Sequence, residues 1–511
     1  MYSHLTVLGR LFNPCLCLVL VHHDLMIIFG RTRNILRSYD RVYISPGYLH
    51  SRKPGSSLST LSRREADKCS KDTERSKGSG PSGINPKRFQ YMPIEYVEDL
   101  DRYCPGGYHP LQVGDTLDNG QYKLVDKLGY GGYSTTWLAR DLKKKDRYVA
   151  VKVITADASA STSEASLIHA LGKAPSKPGK EIIPSVLDQF WAISPNGKHR
   201  CIVTPPARMS LFDAKEASTF RLFQPKVAQS IIAQLIRGVA FLHSEGVVHG
   251  DLHLGNILVS FTESVDQYST SELYKRYGEP EPEAVVRLDN KSLSKHVPSH
   301  ALAPGWFGIC SDNLPQGEAK IILSDFGESY NPPTTVRSFS NTLPWIQPPE
   351  ARFSDEPLSF ASEVWTLACT VWEIFGQRPF CDTFCFTADS VTAEQVQALG
   401  TLPGEWWEKW TRRSEWFNEE GELDVKYGAC RTVDMRFDYC VQEPRAEAGM
   451  EMVTEEERKA FMDMIRSMLV FRPRDRATIQ QVLNSEWMRG WGQPALRGGL
   501  DRRDIKASLE K

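Results

Sequence analysis

His249-Gly250-Asp251-Leu252-His253-Leu254-Gly255-Asn256 is the stretch around which the rest of the chain is read. It sets an acid and an amide five residues apart, directly after a long amphipathic pattern. Phosphoryl-transfer sites use this pair: an Asp accepts the proton of the attacking hydroxyl, and an Asn five positions on holds a second Mg²⁺. Those roles fall to Asp251 and Asn256. The apolar run Ile257-Leu258-Val259 suits a buried strand that fixes the Asn. Upstream, apolar side chains at 227, 231, 235, 239 and 242, with Pro225 early and Gly246 just past the end, predict a helix over 225–244 that delivers the loop. A loop can carry such an acid and amide by chance, so the reading depends on what flanks it.

Towards the N-terminus, Tyr122 to Leu128 alternates as a half-buried strand and runs into Gly129-Tyr130-Gly131-Gly132-Tyr133-Ser134-Thr135-Thr136. This is similar to the glycine-rich hairpin over the ATP phosphates in protein kinases, where missing side chains let backbone N–H groups approach an anion. Ser134 replaces the third glycine and Thr136 the following Val. The β-rich run Tyr148-Val149-Ala150-Val151-Lys152 ends in a Lys suited to the α- and β-phosphates. Twelve residues later Glu164 opens a helical pattern and is the expected ion-pair partner of Lys152. Cys201 to Ala207 reads as a strand entering a hinge stiffened by Pro205 and Pro206. There the Pro205 carbonyl and the Ala207 N–H remain available to adenine. The nucleotide cleft is therefore assigned to Leu128, Gly129, Gly131, Ser134, Thr136, Ala150, Lys152, Pro205 and Ala207.

Towards the C-terminus, 68 residues separate Asn256 from Asp325, and prolines and acids such as Gly278-Glu279-Pro280-Glu281-Pro282-Glu283 mark an irregular insertion. The strand Lys320 to Ser324 leads into Asp325-Phe326-Gly327, the Mg²⁺-binding triplet, with Phe326 expected under the helix that carries Glu164. Pro348-Pro349-Glu350 follows, and Arg476 is the expected buried partner of Glu350. Ser359 to Phe375 is apolar nearly all round, as a helix at the centre of a lobe must be.

Taken together, residues 94 to 492 resemble the fungal branch of the SR-protein kinases, which phosphorylate serines in Arg/Ser-rich splicing factors. The distinctive stretches are Glu98-Asp99-Leu100-Asp101-Arg102-Tyr103, Pro105-Gly106-Gly107-Tyr108-His109-Pro110, Leu273-Tyr274 with its insertion, and Pro348 to Phe353. The resemblance implies a two-lobed serine/threonine kinase with ATP and Mg²⁺ as cofactors, the metal on Asn256 and Asp325. Two residues depart from the pattern: His253 stands where a Lys neutralises the transferring phosphoryl group, and Glu363 stands where a shorter Asp braces the catalytic loop. They keep a catalytically weak pseudokinase scaffold open. The run His-Gly-Asp-Leu-His-x-Gly-Asn-Ile-Leu also keeps open a small-molecule phosphotransferase of the aminoglycoside or choline-kinase kind.

Composition sets outer limits. Over 511 residues, 62 Lys and Arg balance 63 Asp and Glu, which excludes a chain-wide field for nucleic acid, and 41% hydrophobic content supports a sizeable core. Eleven scattered Cys without zinc spacing point to a reducing compartment, cytoplasm and nucleus. Residues 1–64 hold nine Arg or Lys and two acids, a composition compatible with mitochondrial or secretory targeting. Their apolar runs, split by His22-His23-Asp24, fall short of the roughly 20 residues that span a bilayer. The expected organisation is α+β: 1–93 a disordered or targeting extension, with Ser51 to Ser82 as linker; 94–207 a small β-rich lobe; 208–492 a larger helical lobe including an insertion at 262–318; 493–511 a tail. A monomer is expected. From Glu405 to Glu457, fifteen acids outnumber seven bases, either as a solvated face or as a docking surface for Arg-rich substrate. Trp406, Trp407 and Trp410 are spaced to share one helical face and to anchor that segment on the large lobe.

Overall fold

The computed structural model describes residues 89–498 apart from 145–146, 262–264, 383–386 and 428–429. Residues 1–88 of the expected extension, with the linker at Ser51 to Ser82, lie outside the described residues. The described residues all belong to one compact unit.

The small lobe is a six-stranded antiparallel sheet of β1 (Thr116–Leu117), β2 (Tyr122–Gly131), β3 (Ser134–Asp141), β4 (Arg147–Ile154), β5 (Asp188–Ser194) and β6 (Gly197–Thr204), in the order β1-β2-β3-β4-β6-β5. Strand alternation sorts its side chains into two faces. Tyr122, Leu124, Trp137, Ala139, Val149, Val151 and Val153 build one core, whereas Val125, Leu138 and Tyr148 look the other way. Helix α1 (Glu164–Lys173) follows β4 and buries Ala165, Ile168 and Leu171. The expected strands and helix are all present, and Glu164 is the first residue of α1.

Pro205 and Pro206 link β6 to β7 (Ala207–Ser210), which belongs to a separate three-stranded sheet, β9-β8-β7, with β8 (Ile257–Ser260) and β9 (Ile321–Leu323). The large lobe is organised around α2 (Pro225–Ser244) and α4 (Phe360–Phe375), whose apolar faces share one core with Ile257, Val259, Ile321 and Leu323. Proline early in α2 and a Ser359 capping box on α4 set their starts. Because β8 and β9 pair in register from Ile257↔Leu323 to Val259↔Ile321, the segments at their ends, the 249–256 loop and the 325–327 triplet, emerge side by side.

The insertion is mostly irregular, as expected, but it docks on the small lobe. Its helix α3 (Thr270–Tyr277) buries Leu273 beside Val125 and Phe307, and the Tyr274 hydroxyl donates to the Val125 carbonyl at 2.7 Å. Two expected boundaries move. Ordered packing starts before 94, because Tyr91 bridges to Arg287 and the Met92 N–H donates to the Val286 carbonyl at 2.8 Å. The tail is not wholly free either: Ala495 is buried, and its carbonyl accepts from Gln316 at 2.8 Å. In both places the insertion supplies a surface that local sequence does not reveal. No helix among the described residues is long and apolar enough to cross a membrane.

Candidate active site

The 249–256 loop is held from below by α4. Glu363 Oε1 accepts the N–H of His249 at 2.6 Å and that of Gly250 at 3.0 Å, while Oε2 meets His243 Nε2 at 2.8 Å. The extra methylene noted in the sequence is thus accommodated, and the second oxygen is taken by a histidine of α2 that sequence reasoning passed over. Burial works against this carboxylate, yet His243 and the Gly250 N–H hold it below its ordinary range. Gly250 has φ +83°, and a Cβ there would lie 2.4 Å from the Glu328 carbonyl oxygen. Glycine is therefore required, and an Arg at this position is sterically excluded.

Asp251 sits at the floor of the loop. The Asn256 side-chain amide donates to the Asp251 carbonyl at 2.9 Å and approaches Oδ2 at 3.4 Å, so the two expected residues brace each other. The Gly255 N–H donates to His253 Nδ1 at 3.0 Å, which leaves Nε2 as the protonated nitrogen, 3.7 Å from Asp251 Oδ2. A polar hydrogen therefore faces the acid from the position of the missing Lys.

Beside it lies the expected nucleotide side. Lys152 Nζ donates to both Glu164 oxygens at 2.8 Å and to Asp325 Oδ1 at 2.9 Å. Burial disfavours the ammonium, but Asp325 and Glu164 together raise its pKa above the ordinary value, and Lys152 in turn lowers that of Asp325. Asp325 has left-handed backbone, φ +62°, which is uncommon outside glycine and aims its half-exposed carboxylate at the cleft. The Phe326 N–H donates to Glu164 at 3.2 Å, and its buried ring stands edge-on to His249, centroids 4.9 Å apart. Phe326 thus shares the core with Ile168 and Leu171 of α1, as the sequence reading required.

Gly129, Thr136 and Lys152 form one cross-strand row, with Ala150 a step along the same face of β4. Gly131 pairs with Ser134 at the hairpin end. Leu128 and Thr136 are half-buried, Ser134 and Ala150 buried, and Pro205 and Ala207 lie at the link between the two sheets. A Cβ on Gly129 or Gly131 would meet nothing within 4 Å, so open space lies against the hairpin.

The segment after the triplet is fixed by contacts that the sequence did not suggest. Glu328 Oε2 accepts from Arg337 at 2.9 Å and from Asn341 at 2.6 Å. Tyr330 and Val248 exchange backbone bonds of 2.9 and 3.0 Å, and the Ser329 hydroxyl donates to the His249 carbonyl at 3.0 Å. Glu350 and Arg476 form the anticipated pair, bidentate at 2.8 and 2.9 Å and almost fully buried.

The acidic run is less acidic in space than in sequence. Glu405, Glu408, Glu415, Asp424, Asp434 and Asp438 are each paired with an Arg or Lys. Glu419, Glu420 and Glu422 remain together on an exposed turn. Trp406, Trp407 and Trp410 are buried with Phe353, Val396 and Phe417 in a satellite core, so they anchor the segment. They do not share a single helix, which ends at Lys409.

These residues suit a nucleotide and a hard divalent cation. With its amide nitrogen committed to Asp251, Asn256 has its carbonyl oxygen left to offer, and Asp325 offers a carboxylate. Among the described residues no group of three or more His, Cys, Asp or Glu could hold a metal, so phosphate and water oxygens would complete the shell.

Comparison with known proteins agrees with this geometry. The protein kinase domain family matches residues 122–267 and 311–488, more than half of the chain, and the gap falls within the insertion. A serine/threonine protein kinase of Aspergillus fumigatus is 24% identical over 400 residues, 76% of this chain and 90% of that protein. The serine/threonine-protein kinase SRPK of Physarum polycephalum is 26% identical, covering 64% and 78%. SRSF protein kinase 3 of Homo sapiens is 30% identical over 218 residues, 41% of this chain and 37% of that one. A solved kinase-domain structure, at 17% identity, superposes with a TM-score of 0.50 over 75% of this chain and 98% of its own, a likeness of fold. The chain belongs to the protein kinase family, among the serine/threonine enzymes and with relatives named SRPK and SRSF protein kinase.

Proposed function

We propose that the chain transfers the γ-phosphoryl group of ATP, with Mg²⁺, to serine or threonine hydroxyls in Arg/Ser-rich proteins. The observation that carries the chemistry is the continuous line from Glu164 through Lys152 to Asp325, which the pairing of β8 with β9 sets beside Asp251 and Asn256. When bound, Mg-ATP supplies the group to be transferred. Lys152 would orient its phosphates, Asn256 and Asp325 would hold the cation, and Asp251 would accept the proton that the attacking hydroxyl loses as its oxygen bonds to phosphorus and ADP departs. His253 Nε2–H would offer a single donor where the family's Lys places a full charge, so turnover should be slower than with Lys.

The Arg/Ser preference is supported by relatives named SRPK and SRSF protein kinase and by the exposed Glu419-Glu420-Glu422 turn. A small-molecule phosphotransferase has no use for the Glu350–Arg476 pair or the ordered segment after Asp325. A scaffold without activity has no use for an intact Lys152–Asp325 line. The deciding experiment incubates the full chain with Mg-ATP and, in parallel, an Arg/Ser-repeat peptide, a neutral serine peptide, an aminoglycoside and choline. Phosphorylation of the Arg/Ser peptide that is lost in Asp325→Ala is expected, while Asp251→Ala keeps nucleotide binding without turnover. Turnover of a small alcohol alone, or nucleotide binding without any transfer, overturns the proposal.

A further inference from the structure

The tip of the glycine-rich hairpin is braced from outside the sheet. On the side where a Cβ would point, Gly129 and Gly131 face open space. The turn Gly132-Tyr133 is instead tied to a strap formed by residues 98–109. The Tyr108 hydroxyl donates to the Gly131 carbonyl at 2.8 Å and approaches that of Gly132 at 3.3 Å, and the Arg102 guanidinium donates to the same Gly132 carbonyl. That guanidinium lies 5.0 Å from the Tyr108 ring centre and 5.5 Å from that of Tyr133. Tyr108 is 3% exposed whereas Tyr133 is 60% exposed, so the anchor belongs to the strap and not to the turn.

The strap is itself fixed at several points. Buried Glu98 accepts from the Tyr103 hydroxyl and pairs with buried Lys127, in the strand that runs into the hairpin. Asn196 donates to the Tyr108 carbonyl at 2.6 Å and to the His296 carbonyl of the insertion at 2.8 Å. The backbone of Gly106 and Gly107 accepts from Asp157 and Ala156 at 2.8 and 3.1 Å, in the loop that leads to α1.

We infer that Arg102 and Tyr108 are positioning residues for the nucleotide: through the Gly131 and Gly132 carbonyls they hold the hairpin in place before ATP arrives. The inference rests on the proposed ATP-binding role of the hairpin. A free glycine-rich hairpin would lose conformational freedom as it closes on phosphates, and a hairpin already restrained loses less. Both ground state and transition state gain equally from such restraint, so it acts on the KM for ATP and not on kcat.

The test compares the full chain with Tyr108→Phe, Arg102→Ala and Arg102→Lys. It measures binding of a non-hydrolysable ATP analogue with Mg²⁺ by calorimetry and steady-state kinetics with Mg-ATP and an Arg/Ser peptide. Each single loss should weaken nucleotide binding and raise the KM for ATP about fivefold, the factor that one hydrogen bond of ordinary strength corresponds to. kcat and the KM for peptide should change less than about twofold, because neither group reaches the reacting atoms. Arg102→Lys, which keeps a cation and a donor, should fall between wild type and Arg102→Ala. Tyr108→Phe removes one hydroxyl and leaves the buried ring, so it remains decisive if Arg102→Ala folds poorly. Unchanged nucleotide affinity in Tyr108→Phe, or a fall in kcat at constant KM, overturns the inference while the function proposal stands. Failure of the wild-type chain to bind nucleotide removes both.

Discussion

Replacing Glu363 by Gln tests how the catalytic loop is held with the least change of shape. The wild-type carboxylate accepts two backbone N–H groups with one oxygen and His243 with the other. Bonds to a charged acceptor contribute about 1 kcal/mol more each than neutral ones, so the two backbone bonds lose about 2 kcal/mol together. The amide serves both sides only with a change of tautomer: with its oxygen towards His249 and Gly250, its NH₂ faces His243 Nε2, which must then move its proton to Nδ1 to accept. The expected total is about 2–3 kcal/mol, a large share of the 5–15 kcal/mol typical of a folded domain. Urea unfolding at pH 7 measures it, and kcat on peptide should fall because Asp251 is the next residue after the braced Gly250. The pH dependence has a definite sign. The folded pKa of Glu363 lies below its ordinary 4.5, so its stabilisation is complete above 4.5 and is lost as pH falls through the folded value. Gln has no such titration, and the gap between wild type and variant should close on acidification. A loss below about 0.5 kcal/mol at pH 7, or a gap constant down to the acid transition, refutes this account of the loop.

Gly250 cannot carry a cation beside Asp251 that a phosphate would have to pair, and Glu328 is already held by Arg337 and Asn341, so the segment after Asp325 needs no phosphate; the Ser338/Ser340/Thr342 triple Ala variant and phosphatase-treated protein should retain near wild-type turnover. The Thr342 hydroxyl is buried without a hydrogen-bond partner, which makes it a poor acceptor for any modifying enzyme. Glu350→Ala strands the buried Arg476 guanidinium and should cost about 3 kcal/mol or more in thermal or urea unfolding, whereas a neutral effect would mean that the Val470, Phe471 and Ala361 carbonyls suffice for Arg476. Lys substitutions at Glu419, Glu420 and Glu422 should weaken a long Arg/Ser peptide and leave a short one nearly unaffected. The long peptide's affinity should also fall steeply with salt, since screening acts within roughly 8 Å at 0.15 M. Equal salt sensitivity for a neutral peptide would make the turn ordinary surface.

Whatever depends on neighbours within a turn or a strand could be read from the sequence alone. Strands β2 to β4 and helices α2 and α4 announce themselves by period, and Lys152, Asp251, Asn256 and Asp325 stand in local motifs whose spacing the chemistry dictates. The Glu350–Arg476 pair, 126 residues apart, was accessible only because both ends sit in recognisable motifs. The tertiary structure decided the rest. It gave Glu363 its His243 partner 120 residues away, Gly250 the close approach that forbids a side chain, and the hairpin tip its anchors on Arg102 and Tyr108. It also offset part of an acidic run that a count of charges left intact, by bringing Arg458, Arg466 and Arg472 from outside the run to Asp438, Asp434 and Glu405. The physical reason is one of range. Period and composition record which side chains face the same way along a segment, whereas hydrogen bonds and ion pairs act over a few ångströms between segments that only the packed chain brings together.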